Sequence, residues 1–331
     1  MKIFQKLKFG LILLLTVSGY LGKAQLPANT FQNPVISKSL PDPTIIKAKD
    51  GYFYLYATEN IKNVPIYKSS NLVDWDFVGT AFTKESRPSF EPKGGIWAPD
   101  INYINGKYVL YYSMSVWGGE WTCGIGVAVA NKPEGPFVDK GKLFRSNEIG
   151  VQNSIDQFYI EHQGKKYLFW GSFRGIYAIE LAEDGLSLKP GADKKQIAGT
   201  AFEGTYIHKR GKYYYLFASV GTCCEGVKST YKLVVGRSKS LFGPYVDKDG
   251  KLMMQNGYSV VINSNEQFVG NGHNSEIVQD KKGSNWIFYH GVDTQNPKGR
   301  ILLLDQLQWD KSGWPFVQNG TPSLKANRPQ F

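Results

Sequence analysis

Five polar side chains recur at comparable places along this chain: Asp42, Asp100, Asp156, Glu203 and His273. Each lies in an otherwise apolar stretch. They precede Gly51, Gly106, Gly164, Gly211 and Gly283 by 9, 6, 8, 8 and 10 residues. A lone Asp before a strand is usually a turn or cap residue. That reading weakens when several carboxylates fall at matching positions of a repeat, because a fold that superposes the repeats gathers them. Like charges held close raise one another's pKa at a cost in stability, so such a cluster usually has a use. One Glu and two Asp in a sugar-sized funnel suit hydrolysis of a glycosidic bond. One carboxylic acid stays protonated to donate to the leaving oxygen, and another stays ionised to activate water. A third raises the pKa of the acid and holds it in place.

The elements that must position these groups are written in the phrase each glycine opens. It reads Gly51-Tyr-Phe-Tyr-Leu-Tyr, Gly106-Lys-Tyr-Val-Leu-Tyr, Gly164-Lys-Lys-Tyr-Leu-Phe, Gly211-Lys-Tyr-Tyr-Tyr-Leu and Gly283-Ser-Asn-Trp-Ile-Phe, at intervals of 55, 58, 47 and 72 residues. A period near 50 built from short aromatic and β-branched runs is the signature of a β-propeller. The segment before each glycine is expected as the innermost strand of a blade, with the glycine in the hairpin turn that follows. Second strands follow, such as Gly124-Ile-Gly-Val-Ala-Val-Ala and Arg300-Ile-Leu-Leu-Leu-Asp. Closing strands are expected in Ser70 to Val78, Lys132 to Val138, Ser240 to Val246 and, for the fifth repeat, Trp309 to Val317. The fold class is therefore all-β, a five-bladed propeller in one domain over residues 25–331, with the active site at the axial funnel. Residues 185–200 and 250–268 read as polar insertions on blade edges. The tail after Gly320 either closes the ring on the first blade or hangs loose.

The first 24 residues read differently. Lys2, Lys6 and Lys8 precede the apolar run Phe9 to Val17, then small residues up to Ala24. That is a secretory signal peptide, and the apolar run is well short of the ~20 residues that span a bilayer. A soluble, exported protein is expected, periplasmic or secreted, with no membrane span. Four lysines lie in this segment, which has no acids, so the formal net charge of +11 becomes +7 beyond it. The cations are scattered, and nucleic acid is not an expected partner. Three cysteines exclude a full internal disulfide framework. Cys223-Cys224 reads either as a vicinal bridge or as two thiols.

Aromatic and cationic groups complete the list of candidates. Trp97, beside Asp100, is the first choice for stacking on a sugar, and Trp117 and Trp121 lie on a Gly-rich loop. Trp75, Trp309 and Trp314 are assigned to the core. Arg300 can donate to substrate hydroxyls.

Pro41-Asp-Pro43, Ile96-Trp-Ala-Pro-Asp100, Ser154-Ile-Asp156 and Phe202-Glu-Gly204 resemble the motifs of glycoside hydrolase family 43. The resemblance runs from about Asn33 to Val317. It implies a five-bladed propeller with an inverting mechanism, Asp42 as general base, Glu203 as general acid and Asp156 as modulator and orienter of the acid. It implies a supporting role for Asp100, here grouped with Trp97 and Arg300 around the substrate. Thr222-Cys-Cys-Glu-Gly-Val-Lys-Ser-Thr-Tyr231 and Gly270-Asn-Gly-His-Asn-Ser275 are similar to stretches of the arabinan-degrading members. That likeness implies a calcium or other ion at His273, bound largely through water, and no organic cofactor. A lone His is otherwise more often structural, and hard cations prefer oxygen.

The expected activity is hydrolysis of α-L-arabinofuranosyl linkages in a plant cell-wall polysaccharide or oligosaccharide, endo-arabinanase-like, by a monomer. An exo-α-L-arabinofuranosidase or β-xylosidase is the alternative of the same class. The short loop Asp293 to Gly299 and the lack of an added β-sandwich lower the xylosidase reading. A non-catalytic sugar-binding propeller is the alternative of another class. Inversion requires base and acid carboxyls roughly 6.5–9.5 Å apart.

Overall fold

The computed structural model describes residues 29–331, so the expected signal peptide lies outside the described residues. Five sheets follow one another along the chain. The first four contain four antiparallel strands each: Thr44–Lys47 to Asp76–Thr80, Gly95–Ile104 to Val138–Arg145, Phe158–His162 to Lys195–Ala198, and Glu203–Arg210 to Ser259–Ile262. The fifth is ordered Phe268–Asn274, Asn285–Asp293, Ile301–Trp309 and then Ile36–Ser39. Its last strand comes from the other end of the chain. This is the expected five-bladed propeller, with its ring closed by the N-terminal strand.

The repeated glycine is explained by backbone conformation rather than by space. Gly51, Gly106, Gly164, Gly211 and Gly283 all have φ between +57° and +87°, and an added Cβ would meet nothing closer than 3.9 Å. Each occupies the left-handed position of the hairpin that joins the inner strand to the second strand.

The aromatic run after the glycine packs between blades. One apolar cluster joins blades one and two, a second blades two and three, and a third blades three, four and five. A fourth joins blade five back to blade one through Phe31, Leu40, Phe288 and Leu304. Each fully buried Phe or Leu contributes about 1.5–3 kcal/mol. Tyrosines in the run also reach across. Tyr56 donates to the Pro133 carbonyl of blade two, Tyr111 to that of Gly185 in blade three (2.7 Å), and Tyr215 to that of Gly313 in blade five (2.5 Å). Each apolar ring fills an interface while its hydroxyl satisfies a loop carbonyl of the next blade.

Three sequence expectations are corrected. The closing strand of blade four is Ser259–Ile262 and that of blade three is Lys195–Ala198, both inside stretches read as insertions. They are four-residue edge strands, half exposed, and too short to show an alternation. Residues 240–246 form a turn with two isolated bridges, Val246 to Arg237 and Val246 to Leu252. In blade five, Pro315–Phe316 pairs with Ile301–Trp309, but the outer place next to that strand is taken by Ile36–Ser39. The tail does pack on the first blade: Lys325–Asn327 pairs with Thr30–Gln32, Arg328 bonds Asp74, and the Phe331 and Phe53 rings meet at 4.7 Å. Trp314 is buried, and Trp75 and Trp309 pack against the core.

Replacing Tyr111 by Phe keeps the ring and leaves the Gly185 carbonyl without its donor. The expected cost is about 1–3 kcal/mol of stability, read by denaturant unfolding, with kcat unchanged.

Candidate active site

The inner strands begin with a shared backbone device. Asp42 (φ 53°), Ala98 (φ 39°), Asp156 (φ 60°), Gly204 (φ 66°) and Gly270 (φ 66°) all adopt left-handed backbone at or just before these strands. In blades two, four and five the strand register shifts at this point. The left-handed turn aims one side chain at the axis. In blades one and three the residue in the turn is itself an aspartate, a conformation that costs about 1–2 kcal/mol outside glycine. In blade four the turn is a glycine and the carboxylate sits one residue earlier, at Glu203. In blade two the turn is Ala98, and Asp100 comes two residues later, inside the strand.

Asp42, Asp156 and Glu203 line one cavity of about 740 Å³. Trp97, Trp117, Ser172, Tyr231 and Arg300 lie in its wall with them. The structure thus brings Trp97 and Arg300 into one cavity with the three carboxylates. Trp117 stands on the rim, 82% exposed. Asp100 does not line this cavity. Its carboxylate accepts the Tyr159 N–H (2.7 Å) and the Asn102 amide (3.0 Å), and it lies beside Glu276. Its expected place around the substrate is corrected to one inside the fold. Burial and the neighbouring Glu276 push Asp100 well up, and burial pushes Glu276 to about 6.

The three cavity carboxylates differ in charge state because their neighbours differ. Burial is the largest single effect on Asp42 and would raise it, but Arg300, the strongest of its lowering neighbours, and the two histidines together outweigh it. Arg300 Nη1 is 3.1 Å from Asp42 Oδ1, and Thr58 Oγ1 donates to Asp42 Oδ2 at 2.6 Å. With His290 and His273 adding to this, Asp42 is held well below the usual carboxylate range. Asp156 goes the other way. Burial, then Glu203 and Asp42 close by, drive it well up, against the Gly204 N–H it accepts at 3.2 Å. Glu203 is also raised, chiefly by burial, although Ser172 donates to it at 2.6 Å and the Tyr231 hydroxyl acts on it as well. The site thus holds an ionised carboxylate opposite a pair that retains a proton.

His273 is buried, with Nδ1 3.7 Å from Asp42 Oδ1, and burial lowers its pKa. Its ring packs on the blade-four turn, where a Cβ on Gly204 would come within 2.9 Å of it. Among the described residues no cluster of three or more His, Cys, Asp or Glu side chains is set to hold a metal ion. Cys223 and Cys224 form a vicinal disulfide in the cavity wall, and Cys123 is a buried thiol.

Sequence reading missed a second ring of polar groups. Thr58, Ser113, Ser172, Ser219 and His290 lie seven or eight residues after each turn glycine, at the axial ends of the second strands. Four of them brace the site. Thr58 bonds Asp42, Ser113 Oγ accepts the Asp156 N–H (2.9 Å), Ser172 bonds Glu203, and His290 Nδ1 lies 3.2 Å from the Asp42 N and 3.3 Å from its Oδ1. Their constant distance from the glycine was the available signal.

The profile of the glycosyl hydrolases family 43 matches residues 31–315. Over 290 residues the chain is 36% identical to an extracellular endo-α-(1→5)-L-arabinanase of Bacillus subtilis, covering 83% of this chain and 87% of the relative. Over 306 residues it is 35% identical to an extracellular exo-α-(1→5)-L-arabinofuranosidase of Cellvibrio japonicus, covering 83% and 85%. The solved α-L-arabinanase of Cellvibrio cellulosa in complex with arabinohexaose superposes with a TM-score of 0.77 at 32% identity, covering 85% of this chain and 95% of that one.

The charge states carry a stability consequence. Asp42, with its folded pKa depressed, contributes stability that is full above the unfolded carboxylate value of about 4 and lost as pH falls. Asp156 and Glu203, with folded values raised, contribute fully below about 4 and lose that contribution as pH rises from there through their folded values. Glu203→Gln and Asp156→Asn are therefore expected to raise the unfolding temperature at pH 7, while activity falls by ~10²–10⁴. Thermal scans at pH 4 and pH 7 check the sign: the gain should shrink at pH 4.

Proposed function

Since the chain belongs to the glycosyl hydrolases of family 43, we propose that it cleaves α-L-arabinofuranosyl linkages of arabinan or of pectic side chains, and that it does so with inversion. One observation carries this reading. A carboxylate held ionised, Asp42, shares a cavity with a proton-retaining pair, Asp156 and Glu203. Inverting hydrolysis needs that division of labour. Asp42 takes a proton from the attacking water. Its oxygens are fixed by Arg300 and Thr58, so the carboxylate reaches the reaction already oriented. Glu203 donates its proton to the leaving sugar oxygen. Asp156 accepts the N–H of Gly204, the residue after the acid, and so sets the backbone that carries Glu203 as well as its proton affinity.

A cavity of about 740 Å³ is larger than a single pentose requires, which supports endo action. The relatives above include one endo-acting and one exo-acting enzyme at nearly equal identity, so the size of the products decides between the two. Export is supported by the N-terminal segment of the sequence and by the extracellular names of both relatives. Among the described residues no helix is long and apolar enough to cross a membrane.

A cation at His273 fits only an ion that keeps most of its water. The imidazole, neutral through burial, would be the protein ligand, and among the described residues no group of three or more His, Cys, Asp or Glu side chains is gathered around it. When bound, such an ion supplies positive charge beside Asp42.

Two outcomes test the reading. Asp42→Ala and Glu203→Ala should each lose about 10³-fold or more of kcat on linear arabinan while remaining folded, and near-normal turnover in either would sink it. NMR of the first product should show the anomer opposite to the substrate, with oligosaccharides released for endo action and arabinose alone for exo action. For the metal, a chelator should lower the melting temperature of the wild type and leave that of His273→Ala unchanged.

A further inference from the structure

Between base and acid lies a pair of side chains that the assignment above does not use. Tyr231 is 1% exposed and precedes the third strand of blade four, Lys232–Ser238. Its side chain lies with Glu203 in the wall of the cavity, and its hydroxyl acts on the Glu203 carboxyl. Its ring stacks on His290, with centroids 5.6 Å apart and planes 10° from parallel. His290 is fully buried and touches Asp42 through Nδ1. Burial and Arg300 lower its pKa to about 4, so it is neutral at working pH. Its Nδ1 lies 3.2 Å from the Asp42 N and 3.3 Å from Asp42 Oδ1, so His290 holds both the backbone and the carboxylate of Asp42 in place.

The fold makes room for this contact. A Cβ on Gly272 would come within 2.8 Å of the Tyr231 ring and 2.6 Å of Ser219 Oγ, and the backbone at Gly272 is not left-handed. Gly272 is required there by space, for Tyr231, unlike the turn glycines. The Tyr231 N–H is in turn fixed to the Thr222 carbonyl at 3.0 Å, which closes the rim loop bearing the Cys223–Cys224 disulfide.

We propose that Tyr231 is a positioning residue for the general acid: its hydroxyl fixes the Glu203 carboxyl, and its ring, stacked on His290, ties that carboxyl to the place of Asp42. Ser172 grips Glu203 Oε2 from blade three and Tyr231 grips the carboxyl from blade four. The charged and titratable groups that face Glu203 are Asp156, Asp42 and Arg300. The inference rests on Glu203 being the acid.

The test uses leaving-group dependence. An acid is needed to expel a sugar alkoxide but hardly needed to expel a nitrophenolate, whereas the base is needed for both. Tyr231→Phe keeps the ring and the stack. Its kcat should fall roughly 10–100-fold on an arabino-oligosaccharide and stay within about 3-fold of wild type on the same glycone carrying a nitrophenyl group, with KM little changed. The alkaline limb of its pH profile should move upward, because the carboxylate loses a donor. Equal losses on both substrates, or no loss on either, would overturn the proposal. Tyr231→Leu, which removes the stack as well, should add a loss on the nitrophenyl substrate through His290 and Asp42, and no added loss would overturn the tie to the base. Glu203→Gln is the control. If its loss does not depend on the leaving group, the assignment of the acid fails rather than the role of Tyr231.

Discussion

The site depends on one ion pair, Arg300 to Asp42 at 3.1 Å. Three carboxyls buried in one cavity cannot all be ionised without strong mutual repulsion. A guanidinium beside one of them settles the distribution. It stabilises negative charge on Asp42, and that charge then helps raise Asp156 and Glu203. The planar head of Arg300 binds carboxylates in a fixed geometry. The difference in charge state between Asp42 and the other two carboxyls thus reflects the groups that surround each one, not the identity of the carboxylates.

Placing that cation is a task for the whole ring. Arg300 precedes the strand Ile301–Trp309 of blade five. Its backbone is held by the N-terminal segment: the Arg300 N–H bonds Ser39 Oγ, and the Leu40 N–H bonds the Arg300 carbonyl at 2.8 Å. Asp42 follows three residues after Ser39. The pair therefore lies on the seam where the first blade meets the fifth, above the apolar cluster that joins them.

The architecture was legible because its signal is redundant. Five left-handed glycines, each followed by an aromatic run, mark five hairpins, and the three carboxylates of the cavity stand near them. What was not legible follows from the limits of that register. Asp100 looked equivalent to Asp42, yet a left-handed turn at Ala98 puts it two residues further along and inside the fold. The strands Lys195–Ala198 and Ser259–Ile262 are short edges without alternation. His290 lies inside an apolar strand and Ser172 just past one, and both read as incidental polar residues. Only their spacing from the glycine marks them, and their partners lie in neighbouring blades. The strand that completes blade five had no local signal, since its pairing depends on the opposite end of the chain.

The seam has a consequence for how the molecule comes to life. Asp42 and Arg300 are 258 residues apart in sequence, and Asp42 and His290 are 248 apart. Contacts this distant form only after large loops have closed, and they are slow to form. Blades two, three and four can assemble with Glu203 and Asp156 in place while Asp42 is still absent from the cavity. Competence arrives with the last join. A chain left open at the seam is chemically silent toward any polysaccharide it meets.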